Sequence, residues 1–144
     1  MPDRDVHVYC AYKYLKMTGK THLIDSVSQI ETLIDHPERT KGILRYFVRE
    51  NCSNNSSWEC QTAHALMSGM RVKGVMTHDW RSPRGRRLLY RIVDWFYGSE
   101  SSDLVKLHYI LDTAYRGGII SLREKYPECP DIVRFVVENC MDLL

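Results

Sequence analysis

The segment from Ser82 to Gly98 constrains the fold of this chain most, because it has the pattern of a well-bounded amphipathic helix. Ser82 followed by Pro83 is typical of a helix N-cap and first helical position, since proline lacks only an N–H that has no partner there. Gly98 marks the end, because glycine adopts the left-handed conformation without steric cost. Arg87 and Arg91 fall on the side opposite the apolar residues. Those residues recur at three- and four-residue spacing, which predicts one buried face: Leu88, Leu89, Ile92, Val93, Trp95 and Phe96.

The rest of the chain continues with helical apolar spacing, interrupted by short breaks rich in glycine, proline and small polar residues. No stretch of strand length alternates with period two, and no Asn-Gly or Asp-Gly turn is present, so a β-sheet is not expected. No motif repeats at a fixed period, which argues against a helical solenoid. The sequence therefore predicts an all-α fold, a compact single-domain bundle of seven or eight short helices.

The length of 144 residues suits one domain, and we expect residues 1–144 to form it, with residues 1–5 as a flexible tail. The composition of 44% hydrophobic and 26% charged residues is typical of globular proteins. No apolar run approaches the ~20 residues of a membrane span, and the N-terminus lacks a signal-peptide pattern. We therefore expect an intracellular protein, cytoplasmic or nuclear, with no membrane span.

Positive charge is concentrated between residues 71 and 91, which carry seven basic residues against Asp79 alone, or +6, whereas the whole chain carries +2. Guanidinium groups bind phosphates in bidentate fashion, and a helix N-terminus adds free amides, so this basic segment predicts an anion or nucleic-acid site. Trp80 offers a ring for stacking on a base. The alternative is a solvated basic loop. The candidate residues are Arg71, Lys73, Trp80, Arg81, Arg84, Arg86, Arg87 and Arg91.

The five cysteines are an odd number without a CxxC pair, which favours reduced thiols that serve as small core residues. Cys60 and His64 are four residues apart on a predicted helix and could supply half of a tetrahedral zinc site. The other candidate ligands are Cys52 and either His36 or His22. An ordinary buried cysteine and a surface histidine are the alternative interpretation, and no cofactor is expected.

The segment Leu89-Tyr-Arg-Ile92-Val93-Asp94-Trp-Phe96 resembles the BH3 pattern Leu-x-x-Ile-Gly-Asp-x-Phe of apoptosis regulators. The resemblance covers eight residues, with Val93 at the position of the pattern's small residue. It implies a helix that binds in a groove of a receptor protein. Ordinary packing of an amphipathic helix in its own core gives the same pattern.

No catalytic signature occurs in the chain: there is no nucleophile elbow, glycine-rich phosphate loop, HExxH or EF-hand. The sequence therefore predicts a non-enzymatic helical module for protein–protein interaction, acting as an adaptor or regulator. The tyrosines at positions 9, 12 and 14 spread around one helix, so some of them must be exposed. A Bcl-2-like regulator of signalling or cell death fits the size and helix number. The alternative is binding of RNA, DNA or phosphate through the basic segment.

Overall fold

The computed structural model describes residues 4–35, 40–53, 57–73, 82–117 and 119–143. These residues form eight α-helices and no β-strand, which confirms the all-α prediction. Single 3-10 turns lie at Thr21–Leu23, Ile119–Ser121 and Met141–Leu143. The helices are α1 Arg4–Thr18, α2 Ile24–Asp35, α3 Thr40–Asn51, α4 Trp58–Lys73, α5 Pro83–Tyr97, α6 Ser102–Tyr115, α7 Leu122–Lys125 and α8 Pro130–Asn139.

Two compact units make up the chain. Unit 1 consists of Met1–Glu31 and Asp103–Leu144, and unit 2 consists of Thr32–Ser102. The single domain expected from the sequence stays a prediction. The flexible tail expected over residues 1–5 also stays a prediction, because residues 1–3 lie outside the described residues and α1 begins at Arg4.

In unit 1, α1 packs against α8. The rings of Tyr14 and Phe135 meet edge to face at 5.1 Å between centroids. The Tyr14 hydroxyl donates to Asp103 Oδ2 at 3.1 Å, and Lys20 Nζ pairs with the same oxygen at 2.7 Å. These polar contacts fix the start of α6 on α1. The buried face of α1 comprises His7, Cys10, Ala11, Tyr14 and Leu15.

In unit 2, helices α3, α4 and α5 contact one another pairwise. Ser57 accepts a hydrogen bond from the Cys60 amide at 3.4 Å and thereby caps the start of α4. A disulfide between Cys52 and Cys60 joins the end of α3 to the first turn of α4. The prediction of reduced thiols is therefore wrong for this pair. The core of the unit contains Leu44, Phe47, Ala63, Leu66, Leu88, Leu89, Ile92 and Val93.

None of the described helices combines the length and the apolar character needed to cross a bilayer.

Candidate interaction surface

Helix α5 is bounded as its sequence predicts. Ser82 is extended, and its hydroxyl accepts a hydrogen bond from the Gly85 amide at 3.1 Å, with Pro83 at the first helical position. Gly98 closes the helix with φ of 109°, and its amide donates to the Asp94 carbonyl at 3.1 Å. These local signals fix where α5 begins and ends, and therefore which side chains share a face.

The buried face of α5 is formed by Leu88, Leu89, Ile92 and Val93, each at most 3% exposed, as predicted. The prediction is wrong for Trp95 and Phe96, which are 41% and 48% exposed. Helical spacing states which residues share a face, but burial of the last turn depends on whether a neighbouring helix covers it there.

An exposed stripe runs along the outer face of α5, formed by Arg84, Arg87, Arg91 and Trp95. Their spacing of three, four and four residues aligns them on one side of the helix. The stripe rises about 16 Å from its first residue to its last, at 1.5 Å per residue. Three cationic side chains and an exposed indole ring therefore lie on the same side of α5.

Trp95 belongs to an aromatic cluster that joins α5 to α3. Its ring centroid lies 5.3 Å from that of Tyr46 and 6.2 Å from that of Phe96. Tyr46 is 39% exposed, so three large aromatic side chains of this cluster face solvent. The buried ring of Phe47 meets Trp95 edge to face at 5.7 Å and holds the indole in place. We use the name aromatic cluster for Tyr46, Trp95 and Phe96.

One charged group and one neutral phenol border the aromatic cluster. The Arg49 guanidinium lies 5.0 Å from the Tyr46 ring centroid, in cation–π geometry. Tyr97 follows Phe96, at 5.0 Å between ring centroids, and burial raises the pKa of its hydroxyl. This phenol is consequently neutral at physiological pH and presents no charge.

A cleft of about 540 Å³ opens beside Trp95. Asp94 lines it and is held by Ser102: its Oδ1 accepts from the Ser102 amide at 2.8 Å and its Oδ2 accepts from the Ser102 hydroxyl at 2.9 Å. Arg91 Nε and Glu59 Oε1 form an ion pair at 3.8 Å in the same cleft. The cleft thus places polar groups of both signs next to the aromatic cluster. Its lining residues are Phe47, Asn51, Ser57, Glu59, Cys60, Arg91, Asp94, Trp95 and Ser99.

The basic segment is only partly the exposed cluster that the sequence predicts. Arg84 and Arg87 are exposed, and Arg91 is exposed but pairs with Glu59. Arg86 is 6% exposed and interacts with another group of the protein, so the expectation that it faces solvent is wrong, whereas its role as an anion ligand stays a prediction. The reason is helical phase, because position 86 lies on the face of α5 that carries Leu89 and Val93.

The side chains of the remaining candidate residues in the basic segment lie outside the described part of the chain. Trp80 and Arg81 lie outside the described residues, and Arg71 and Lys73 lie in the last turn of α4 without described side chains. A second cleft, of about 260 Å³, lies between α4 and the start of α5. Arg84 lines it together with Ser82 and Gln61.

The zinc site is not formed by the residues that the sequence suggests. Cys52 and Cys60 are bonded to each other, so neither sulfur is a free thiolate ligand. His64 is exposed on α4, and His36 lies outside the described residues. Within the described part of the chain, no group of three His, Cys, Asp or Glu side chains is arranged to hold a metal ion.

Three of the residues that resemble a BH3 pattern are core residues in this fold. Leu89, Ile92 and Val93 are at most 3% exposed, and Asp94 is engaged with Ser102. Only Phe96 of the pattern's defined positions is exposed. In the folded chain the side chains of Leu89, Ile92 and Val93 lie in the core of unit 2 and are not presented to a receptor groove.

The aromatic cluster was not predicted from the sequence. Tyr46 carried no signal of its own, because its contact with Trp95 joins residues 46 and 95 of two different helices. The prediction that Trp95 and Phe96 are buried also excluded these two residues from any predicted surface site.

Comparisons with protein-family models, with curated proteins and with solved structures found no match to this chain.

Proposed function

We propose that this chain is a non-enzymatic helical module that binds another protein through the aromatic cluster. The observation that supports the proposal is the exposure of three adjoining aromatic side chains, at 39%, 41% and 48% for Tyr46, Trp95 and Phe96. Single exposed apolar residues are common on protein surfaces, but contiguous ones mark interaction sites. An adaptor or regulatory role is part of this proposal.

The residue types around the cluster fit a protein interface. Tryptophan, tyrosine and arginine dominate the binding energy of such interfaces, and all three types occur here. Arg91 and Arg49 each pair with a carboxylate, at 3.8 Å to Glu59 and 3.5 Å to Glu50. Ion pairs of this kind reduce the attraction for a phosphate backbone and suit a partner with polar groups of both signs.

Capture from cell lysate tests this proposal. Immobilised wild-type protein is compared with Trp95→Ala and with Trp58→Ala, because Trp58 is 37% exposed in the same unit but outside the aromatic cluster. We expect a protein that is retained by wild type and by Trp58→Ala and is lost with Trp95→Ala. Equal capture by all three variants would rule out the aromatic cluster as the binding surface.

The second candidate is binding of RNA, DNA or phosphate at the start of α5. It is favoured by the exposed Arg84 and Arg87 and by the charge of unit 2, which has eleven Lys and Arg against seven Asp and Glu, or +4. The two classes of partner respond differently to salt, because phosphate contacts release counterions.

Titration with single-stranded and duplex nucleic acid at two salt concentrations separates the candidates. If Arg84 and Arg87 contact phosphates, changing both to Gln should reduce the salt slope by about one unit per lost contact. The matched control changes Arg123 and Arg134 to Gln, which are exposed in unit 1. Absence of binding to wild type at low salt excludes this candidate.

Two further suggestions from the sequence stay proposals. A Bcl-2-like role in signalling or cell death rests on chain size and helix number, which are shared by unrelated functions. An intracellular location, cytoplasmic or nuclear, rests on the odd number of cysteines without a CxxC pair. The Cys52–Cys60 disulfide favours an oxidising compartment instead, and thiol trapping in intact cells distinguishes the two locations.

A further inference from the structure

We propose that Cys10 and Cys140 form a second disulfide, which joins α1 to the end of α8 within unit 1. Both side chains are 0% exposed. Both are free thiols in the structure, and each shifts the pKa of the other, so the two side chains lie close together. Each unit would then hold one disulfide, since Cys52–Cys60 lies in unit 2.

Independent contacts hold the two cysteines in register. Lys13, three residues after Cys10, donates from its Nζ to the Asn139 carbonyl at 3.3 Å, and Asn139 directly precedes Cys140. One turn further along, the rings of Tyr14 and Phe135 meet at 5.1 Å. Bridging requires two sulfurs that approach to ~2 Å from a backbone already at the right spacing, and these contacts keep α1 and α8 in place.

A small-molecule disulfide such as oxidised glutathione supplies the oxidant. The Cys140 thiolate attacks one glutathione sulfur, and one glutathione thiolate leaves as a mixed disulfide forms. The Cys10 thiolate then attacks the Cys140 sulfur and displaces the second glutathione thiolate. The two protons from the cysteines are taken up by the two leaving thiolates, so the protein is oxidised by two electrons and one glutathione disulfide is reduced.

Burial sets the order of events. Glutathione reaches the two sulfurs before α1 has packed on α8, and packing then shields the finished bond from reduction. Because Cys10 and Cys140 are 130 positions apart, the bond closes a loop that contains most of the chain. Such a loop restricts the unfolded state strongly.

Peptide mapping of the oxidised wild-type protein tests the proposal. The protein is refolded in a glutathione redox buffer, its remaining thiols are alkylated under denaturing conditions, and it is digested with trypsin without reduction. Trypsin places the candidate partners on separate peptides, Cys10 on residues 5–13, Cys129 on 126–134 and Cys140 on 135–144. Cys52 and Cys60 remain together on residues 50–71.

We expect peptides 5–13 and 135–144 to appear as one linked species that separates on reduction, with alkylation at Cys129 alone. Two results would overturn the proposal: alkylation of both Cys10 and Cys140 in protein whose Cys52–Cys60 bond is closed, or linkage of either cysteine to Cys129. The control variant Cys129→Ser must retain the linked species. A Cys52→Ser/Cys60→Ser variant must also form it, because the two bonds lie in different units.

Discussion

Leu89 and Phe96 lie seven residues apart on α5, at positions that helical spacing assigns to one face. Leu89 is 3% exposed, whereas Phe96 is 48% exposed. The two residues therefore differ in what they contribute to folding. Leu89 fills the core of unit 2, and Phe96 contacts mainly other aromatic side chains at the surface, Tyr46, Trp95 and Tyr97.

Truncating these two side chains should separate their roles. We expect Leu89→Ala to lower the free energy of unfolding by about 2 to 5 kcal/mol, because it removes buried surface and leaves a cavity. Phe96→Ala should cost only about 1 kcal/mol, the range of aromatic pair contacts. Urea unfolding measures the loss of unfolding free energy in both variants, which can be compared directly when their m-values equal that of wild type. Equal midpoints for the two variants would contradict the burial described for α5.

Arg86 is buried, whereas Arg84 and Arg87 on the same helix are exposed. Changing Arg84 and Arg87 to Gln should leave the free energy of unfolding within about 1 kcal/mol of wild type, because exposed charges contribute little. Arg86→Gln should destabilise by about 1 to 3 kcal/mol, because it disturbs the interaction of a buried charged group. Thermal and urea unfolding of the single and double variants provide the comparison. A destabilised Arg84→Gln/Arg87→Gln variant would mean that the exposed stripe is structural.

At the scale of the helices, local sequence signals determined the boundaries and tertiary packing determined the faces. Ser82, Pro83 and Gly98 were sufficient to predict both ends of α5, because capping depends on residues within one turn. The exposure of Trp95 could not be predicted, because its ring contacts reach Tyr46 and Phe47 on another helix. The burial of Arg86 was missed because a charged residue was assumed to face solvent.

The connection between α3 and α4 carries the next prediction. The Cys52–Cys60 bond spans a separation of eight residues and fixes the end of α3 to the start of α4. Changing both cysteines to Ser should lower stability by about 2 to 3 kcal/mol, from the loop entropy that returns to the unfolded chain.

Urea unfolding with and without a thiol reductant gives the necessary control. The reductant should lower the midpoint of wild type, and it should act less on the Cys52→Ser/Cys60→Ser variant, which has lost this bond. Identical midpoints for wild type and variant under oxidising conditions would show that the bond does not stabilise unit 2.

At the scale of the whole molecule, opposite charges fall on the two units. Unit 2 carries +4, as counted above, and unit 1 carries −2, from nine Lys and Arg against eleven Asp and Glu. The sequence showed that positive charge is concentrated in one segment of the chain. It did not show how the net charge is divided between the two units, because unit 1 combines both ends of the chain. The aromatic cluster lies on unit 2, the unit with the net positive charge.

Side-chain oxidation footprinting tests the proposed interface most directly. Wild-type protein is oxidised by hydroxyl radicals alone and in the complex recovered from lysate, and each aromatic residue is quantified by mass spectrometry. We expect oxidation of Tyr46, Trp95 and Phe96 to fall in the complex, while exposed Trp58 and Tyr115 react as before. Unchanged oxidation of the aromatic cluster, with protection elsewhere, would contradict the account.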